Sequence, residues 1–324
     1  MASKKYIATT ALLTFLICQQ SKSESNNESS INSLKGISKF RFDEDNKDQL
    51  KLYLGNTNVA TYLIRDPKLT RRALVNLRTA TGIPVTRPFP AEEKEDHAIM
   101  HPGLWISYGW ISGNDYWRLK SKVIFDGFIG NPIAKEHKAK FSTRNRYLNE
   151  KGNEPICFED TSYAFSIIPE GILIDIVAVY YNNEREFAFG DQEESGLALR
   201  MAKPLTVKFG NGRILNDTGD LNGKGTWGKP FKWIDYSGIH DGKRIGLLLI
   251  PSNKNKRESW AHSRDYGVLV ANPFPKQPQE RREPYVKTLI KKGEKLKMQY
   301  RVLIHENQKG QLDPKKIADH LLNQ

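Results

Sequence analysis

The segment Trp260-Ala261-His262-Ser263-Arg264-Asp265-Tyr266-Gly267 sets an imidazole two positions from a guanidinium and three from a carboxylate. Histidine exchanges a proton near neutral pH, which makes His262 the leading candidate for a general acid. Arg264 suits the orientation of hydroxyls or of a carboxylate, and Asp265 and the downstream Asn272 offer further ligand contacts. The plainer reading is an Arg264/Asp265 clamp that holds a loop.

A second segment, Phe189-Gly190-Asp191-Gln192-Glu193-Glu194-Ser195-Gly196, places three carboxylates within four positions. Such a density is costly unless the charges are solvated, paired with a cation or bound to a metal. Arg200 has the opposite parity to Leu197, Leu199 and Met201 in the strand-like run that follows, and it supplies a cation for that side. Glu193 or Asp191 is then the base that works against a histidine acid, with an acidic surface loop as the alternative.

Two further groups mix aromatic and polar side chains. The first runs through Asp96-His97, His101-Pro102-Gly103-Leu104-Trp105 and Gly113-Asn114-Asp115-Tyr116-Trp117. His97 and His101 have the spacing of a helical zinc pair, but Pro and Gly at this density exclude a regular helix. His101 is therefore a second candidate acid, His97 a ligand contact and Trp105 a stacking platform. The other group holds Trp227-Gly228-Lys229 and Trp233-Ile234-Asp235-Tyr236-Ser237-Gly238. Sugar rings have apolar faces and hydroxyl edges, which Trp227, Lys229, Asp235 and Tyr236 can stack against and hydrogen-bond. Buried polar anchors between loops have the same composition. No cofactor is expected, and a divalent metal held by His97, His101, His262 and an acidic partner is a further alternative.

These segments must be positioned by strands. Short β-like runs separated by Gly, Pro, Asn and Asp recur from about residue 40, without a long helical period or an internal repeat. Leu296, Met298, Tyr300, Val302 and Ile304 alternate with polar neighbours, as a strand with one face in a core requires. Ile172 to Tyr181, Ile245 to Ile250 and Gly267 to Ala271 are nearly continuous apolar runs, which suits strands covered on both faces. Asn211-Gly212, Asn222-Gly223 and Asp241-Gly242 signal tight turns. One helix is expected near the end, capped by Asp313, opened by Pro314 and carrying Ile317 and Leu321 on its apolar stripe, packed on the sandwich edge. The fold class is all-β: a large antiparallel two-sheet β-sandwich with a short C-terminal helix, forming a single domain over 40–324.

The 324 residues include 38% hydrophobic and 27% charged side chains, the balance of an ordinary globular protein. Residues 1–23 read as a signal peptide, with Lys4 and Lys5 before an apolar stretch and Ser21-Lys22-Ser23 at the cleavage site; 24–39 read as a flexible spacer. The chain is expected to be exported to the periplasm or beyond, or alternatively anchored by lipid on Cys18. Nothing later is apolar enough over a sufficient length to span a membrane as a helix. Cys157, between Ile156 and Phe158, reads as a buried thiol and not as a nucleophile. The formal charge is +13, densest from Lys276 to Lys297, but without interleaved aromatics or a binding module it does not point to nucleic acid. No nucleophile elbow, P-loop or dinucleotide fingerprint occurs.

RPFP with EKEDH (Arg87 to His97), HPGLW (His101 to Trp105), GNDYW (Gly113 to Trp117), FGDQEESGLALR (Phe189 to Arg200), WGK, DYSG and SWAHSRDYGVLVANPF (Ser259 to Phe274) together resemble a bacterial family labelled methane oxygenase PmoA-like, a domain of unknown function. The label implies a membrane-bound monooxygenase subunit made of transmembrane helices, which this sequence does not match. The resemblance implies instead a sugar-mutarotase-type β-supersandwich in exported proteins. Relatives carry DHPHHRGLW where this chain reads Asp96-His97-Ala98-Ile99-Met100-His101-Pro102-Gly103-Leu104-Trp105, so the adjacent histidine pair is lost and Pro102 stands in place of arginine. The expected function is a sugar-processing enzyme of epimerase, lyase or hydrolase type with a carbohydrate or other small polar ligand; a non-catalytic carbohydrate-binding module is the alternative.

Overall fold

The computed structural model describes residues 39–275, 286–308 and 312–322. The expected signal peptide, Cys18, nearly all of the spacer and the first part of the basic run, 276–285, lie outside the described residues. In chain order the strands begin with β1 (Phe40–Asp43), β2 (Gln49–Leu54), β3 (Thr57–Leu63), β4 (Ala73–Val75), β5 (Leu104–Tyr108) and β6 (Val123–Phe128). Next come β7 (Ile133–Lys135), β8 (Lys138–Leu148), β9 (Pro155–Ile168), β10 (Gly171–Tyr181), β11 (Phe187–Gly190) and β12 (Ser195–Arg200). The series ends with β13 (Arg213–Asn216), β14 (Ile234–His240), β15 (Lys243–Pro251), β16 (Trp260–Arg264), β17 (Val268–Asn272), β18 (Lys287–Ile290) and β19 (Lys295–Gln308).

Hydrogen bonding orders them into an eight-stranded sheet, β1-β2-β3-β4-β5-β12-β17-β16, and a nine-stranded sheet, β13-β14-β15-β19-β10-β9-β8-β6, where β7 pairs off the main path with β8. All of these pairings are antiparallel. Strand side chains alternate between faces, so each sheet contributes one set to a shared core. Leu104, Ile106, Leu197, Leu199, Leu269 and Ala271 of the first sheet join Ile172, Ile174, Ile176, Leu247, Leu249, Val302 and Ile304 of the second in one buried cluster. The architecture is thus the expected antiparallel sandwich, and β19 places all five of its alternating apolar residues in that cluster.

Two expectations about the strands need correction. On β10 only Ile172, Ile174, Ile176, Ala178 and Tyr180 enter the shared core, while Asp175, Val177 and Val179 on the other face are half-buried. Asp241-Gly242 does close the β14–β15 hairpin, both residues having positive φ (49° and 75°). Asn222-Gly223, however, opens a short helix, Asn222–Thr226, and Asn211 is spent on the backbone of Ile239.

The C-terminal helix, Pro314–Leu322, forms where expected, and the Asp313 carboxylate accepts a hydrogen bond from the Lys316 amide. Its place differs from the expected edge. Ala318 and Leu321 pack with Leu173, Trp233, Leu248, Ile250 and Leu303, the outer face of the nine-stranded sheet. The apolar residues of β10, β15 and β19 that point away from the sandwich core need this cover.

A polar network centred on one carboxylate sits inside the sandwich. Glu159 of β9 accepts from Tyr147 Oη at 2.5 Å, Tyr180 Oη at 2.9 Å, Asn145 Nδ2 at 3.0 Å and Thr161 Oγ1 at 2.7 Å. A buried carboxylate is tolerated when its lone pairs are filled in this way. Glu159→Leu would remove the acceptor that these four donors share and should lower stability by at least about 3 kcal/mol. Urea unfolding should show this as a lower midpoint at unchanged slope; an unaltered midpoint would contradict the account.

Candidate functional site

Backbone register fixes which polar side chains meet. Ala198 of β12 pairs with Trp105 of β5 and with Val270 of β17, and Val270 pairs with His262 of β16. Directly paired residues share a face, and since Leu197 and Leu199 face the core, this row faces outward. The next row on the same face is Arg200, Val268 and Arg264. The outer face of the eight-stranded sheet therefore carries a small-residue floor of Ala198, Val268 and Val270, fully buried in a second apolar cluster with Phe89, Trp105 and Trp117, and polar groups stand on both sides of it. Gly196 keeps this floor close: its φ is 115°, and an added Cβ would lie 2.1 Å from the Ala271 carbonyl oxygen.

On one side Glu193, His262, Arg264 and Trp227 form a cluster. Arg264 Nη2 donates to Glu193 Oε1 at 2.5 Å, and His262 Nδ1 lies 3.3 Å from the same oxygen. The Arg264 guanidinium also rests 5.1 Å from the centre of the Trp227 ring. His262 is buried, whereas the Glu193 side chain is 40% exposed and the Arg264 side chain 35%. The His262 ring beside it holds the Glu193 carboxyl below the usual carboxylate range; partial burial opposes this, and the charges of His262, Arg264 and Arg118 reinforce it.

Across the floor, His101 stacks between His97, with ring centres 4.5 Å apart, and Trp105, at 5.3 Å. Arg200 Nη1 lies 3.4 Å from His101 Nδ1, and its guanidinium sits 4.6 Å from the centre of the Tyr266 ring. A cleft of about 370 Å³ opens here, bounded among others by Arg87, Glu95, Asp96, Arg200, Lys203 and Tyr266. Trp105 and His262 are three strand spacings apart, roughly 14 Å between Cα atoms, so the two groups line opposite ends of one face without touching.

Several expected contacts are structural instead. Asp191 is buried, accepting from Arg257 Nη1 at 3.2 Å and the Val286 amide at 3.2 Å, so it is no free base. Burial, then the neighbouring charges of His97, Arg200, Arg71 and Arg87, pushes the His101 pKa far down, which keeps the ring neutral and removes it as an imidazolium acid. Trp105 is 1% exposed and stacks on protein, not on a ligand. Asp235 is wholly buried on the outer face of the other sheet, bonded to His305 Nε2 at 2.8 Å and Ser237 Oγ at 2.6 Å. Tyr236 is buried and donates to the Asp265 carbonyl at 2.9 Å.

Asp265 Oδ1 accepts the Gly223 amide at 2.7 Å, and Lys229 Nζ donates to Asp220 Oδ1 at 2.7 Å. Asn272 is buried, and its amide donates to the carbonyls of Gln192 at 2.6 Å and Glu193 at 3.1 Å. Asn272 thus positions the loop that presents Glu193. The parallel rings of His97 and His101 direct their in-plane lone pairs side by side, and His262 is far from both, so the three do not converge on one ion. Among the described residues no group of three or more His, Cys, Asp and Glu is arranged to hold a metal.

Sequence reasoning did not single out Arg71, Arg87, Arg118 or Tyr266. Arg71 is 1% exposed and donates to the carbonyls of Tyr116, Trp117 and Met100, with the Trp105 ring centre 5.4 Å away. Burial pulls its pKa down to about 9. Arg87 donates to the carbonyls of Asp96 at 2.8 Å and His97 at 2.5 Å, holding the histidine segment in place. Arg118 pairs with Glu194. Spacing carried no sign of these links, although Arg87 and Tyr266 lie inside the quoted motifs.

Because Glu193 is held ionised, its stabilising contribution is complete above the unfolded carboxylate pKa, about 4.3. It is lost as the pH falls through the lower folded value. Carbon-detected NMR titration should give Glu193 a midpoint below that of free glutamate, and His262→Ala should raise it. A midpoint at or above the free value would refute this environment.

No curated protein matches the chain. Among solved structures it is similar to a galactose mutarotase-like protein from Lactobacillus casei, with 12% identity, a TM-score of 0.45, and 82% of this chain and 100% of that one covered. A galactose mutarotase-like protein from Clostridium acetobutylicum gives 11% identity, a TM-score of 0.40, and coverage of 83% and 99%. The 4-alpha-glucanotransferase from Thermococcus litoralis gives 10% identity and a TM-score of 0.36, with 83% of this chain and 40% of that chain covered. These similarities transfer no activity to this chain. The profile that matches, over residues 49–321 from the first strands to the C-terminal helix, describes a family of unknown function without a methane-oxygenase label, and the protein belongs to that family, DUF6807.

Proposed function

We propose that this protein is an exported sugar-processing enzyme of epimerase, lyase or hydrolase type, working on the outer face of the eight-stranded sheet. The observation that carries the reading is the Glu193–His262–Arg264–Trp227 cluster. Reactions of these types need one group to take a proton and another to give one. Glu193, ionised and partly exposed, is the group that takes it. His262, whose Nδ1 lies 3.3 Å from that carboxylate, gives the proton or relays it. Arg264 orients the ligand and keeps Glu193 ionised until substrate displaces part of their contact.

Trp227, itself half-buried, supplies an apolar edge beside the partly exposed Arg264. Asn272 and the amides of residues 109 and 192 hold the Glu193 loop in place: Gly109 donates to the Glu194 carbonyl at 2.9 Å and Gln192 to the Phe274 carbonyl at 2.8 Å. A preorganised loop favours catalysis because less reorganisation is left for the reaction itself.

A non-catalytic carbohydrate-binding module is the second reading, favoured by the direct Arg264–Glu193 pair, which spends the base in the free protein. Turnover of a broad oligosaccharide panel separates the two. The double variant His262→Ala, Glu193→Gln should lose at least about 100-fold in kcat while keeping its fold. Turnover unchanged in that variant would refute the enzyme assignment, and glycan binding without product in the parent protein would favour the binding module.

A further inference from the structure

Three arginines are buried around the histidine end of the site, and they are satisfied differently. Arg71 spends its terminal nitrogens on the carbonyls of Met100, Tyr116 and Trp117. Arg87 spends its own on the carbonyls of Asp96 and His97, and Glu95 lies 3.6 Å away. Arg200 is 6% exposed, yet among the described residues no carboxylate comes within ion-pair distance of it. Its contacts are a 3.4 Å approach to His101 Nδ1 and the face of Tyr266.

A guanidinium carries five N–H donors in a planar fork. The neutral imidazole of His101 can accept one of them but cannot balance the charge. Removing a cation from water without a counter-ion is costly, and proteins retain such a group where something else completes it. The fork matches the two oxygens of a carboxylate, or those of a sulfate ester.

The surroundings agree. Arg200 borders the 370 Å³ cleft, a volume within the range of small-molecule sites. Lys94, Arg87 and Lys203 line the same cleft against two carboxylates, Glu95 and Asp96. Glu95 faces Arg87, and Asp96 contacts His97 Nδ1, so both acids already have partners. Arg200 also shares a strand row with Arg264, two spacings or roughly 10 Å away. A ligand long enough to span that distance over the buried Val268 would reach both the cleft and Glu193.

We infer that the cleft at Arg200 binds an anionic substituent of the sugar, a uronate carboxylate or a sulfate ester, and so selects acidic over neutral glycans. This assignment rests on the sugar reading above and specifies its substrate class.

Calorimetric titration of the full chain tests it with three probes: uronate oligosaccharides, the same oligosaccharides after carboxyl reduction, and sulfated neutral oligosaccharides. At least one acidic probe should bind tenfold or more tightly than the carboxyl-reduced one, and which of the two does so identifies the anion. Arg200→Gln should bring that ratio to about one while neutral binding persists. Should Arg200→Gln fold poorly, Lys203→Gln at the exposed rim should still lower the ratio severalfold. Neutral glycans binding as well as acidic ones, or a ratio unchanged in either folded variant, would overturn the assignment and leave the sugar reading standing. If no glycan binds at all, both fall.

Discussion

The register of β5, β12, β17 and β16 is the constraint on which the site depends. Trp105, Ala198, Val270 and His262 are cross-strand partners, as are Arg200, Val268 and Arg264. Side chains alternate with a period of two, so a slip of one residue in β12 would turn Arg200 into the apolar core and bring Leu199 to the surface. The core therefore enforces the site: Leu197, Leu199, Leu269 and Ala271 lock the inner face, and the polar set on the outer face has no other register available.

Around that face, charges divide into those that hold and those that are offered. Arg71 and Arg87 brace backbone carbonyls around the His97–His101 stack. Asn272 and Tyr236 tie loops through carbonyls, Tyr236 reaching from the nine-stranded sheet to the β16–β17 turn. Each is buried, so each hydrogen bond is made in a medium where leaving it unmade is expensive. Glu193 and Arg264 are the partly exposed members, stabilised by one another and open to solvent.

Much of the fold was legible because it rests on periodicity. The alternation in β19, the Asp241-Gly242 hairpin and the Asp313 cap follow from local rules, and the structure realises each of them. The site was legible only in part. Parity places Arg200 on the face opposite Leu199, but it does not say which elements cover that face, and the covering decides between contact and anchor. Asp235 and Arg200 are both polar residues on outward strand faces; His305 and Ser237 close over the first, while a cleft opens beside the second. The link from Asn272 to the carbonyls of Gln192 and Glu193 joins residues about eighty positions apart. Arg71 sat in a stretch with no motif, and only the fold brings it under Trp105 and Trp117.

Strand β16 is the last in its sheet, and its outer edge is not bare. The Gly228 amide donates to the Ala261 carbonyl, the Ala261 amide donates to the Lys229 carbonyl, and Pro230 bridges to Trp260. The segment that delivers Trp227 thus also occupies backbone groups that would otherwise template the addition of a foreign strand. The Phe231 amide continues the pairing to the Ser259 carbonyl, and Pro230, between Lys229 and Phe231, has no amide to offer outward to a further strand. At this margin the same few residues that furnish the candidate site guard the molecule against edge-to-edge aggregation, and changes made there to alter ligand choice would also bear on its solubility.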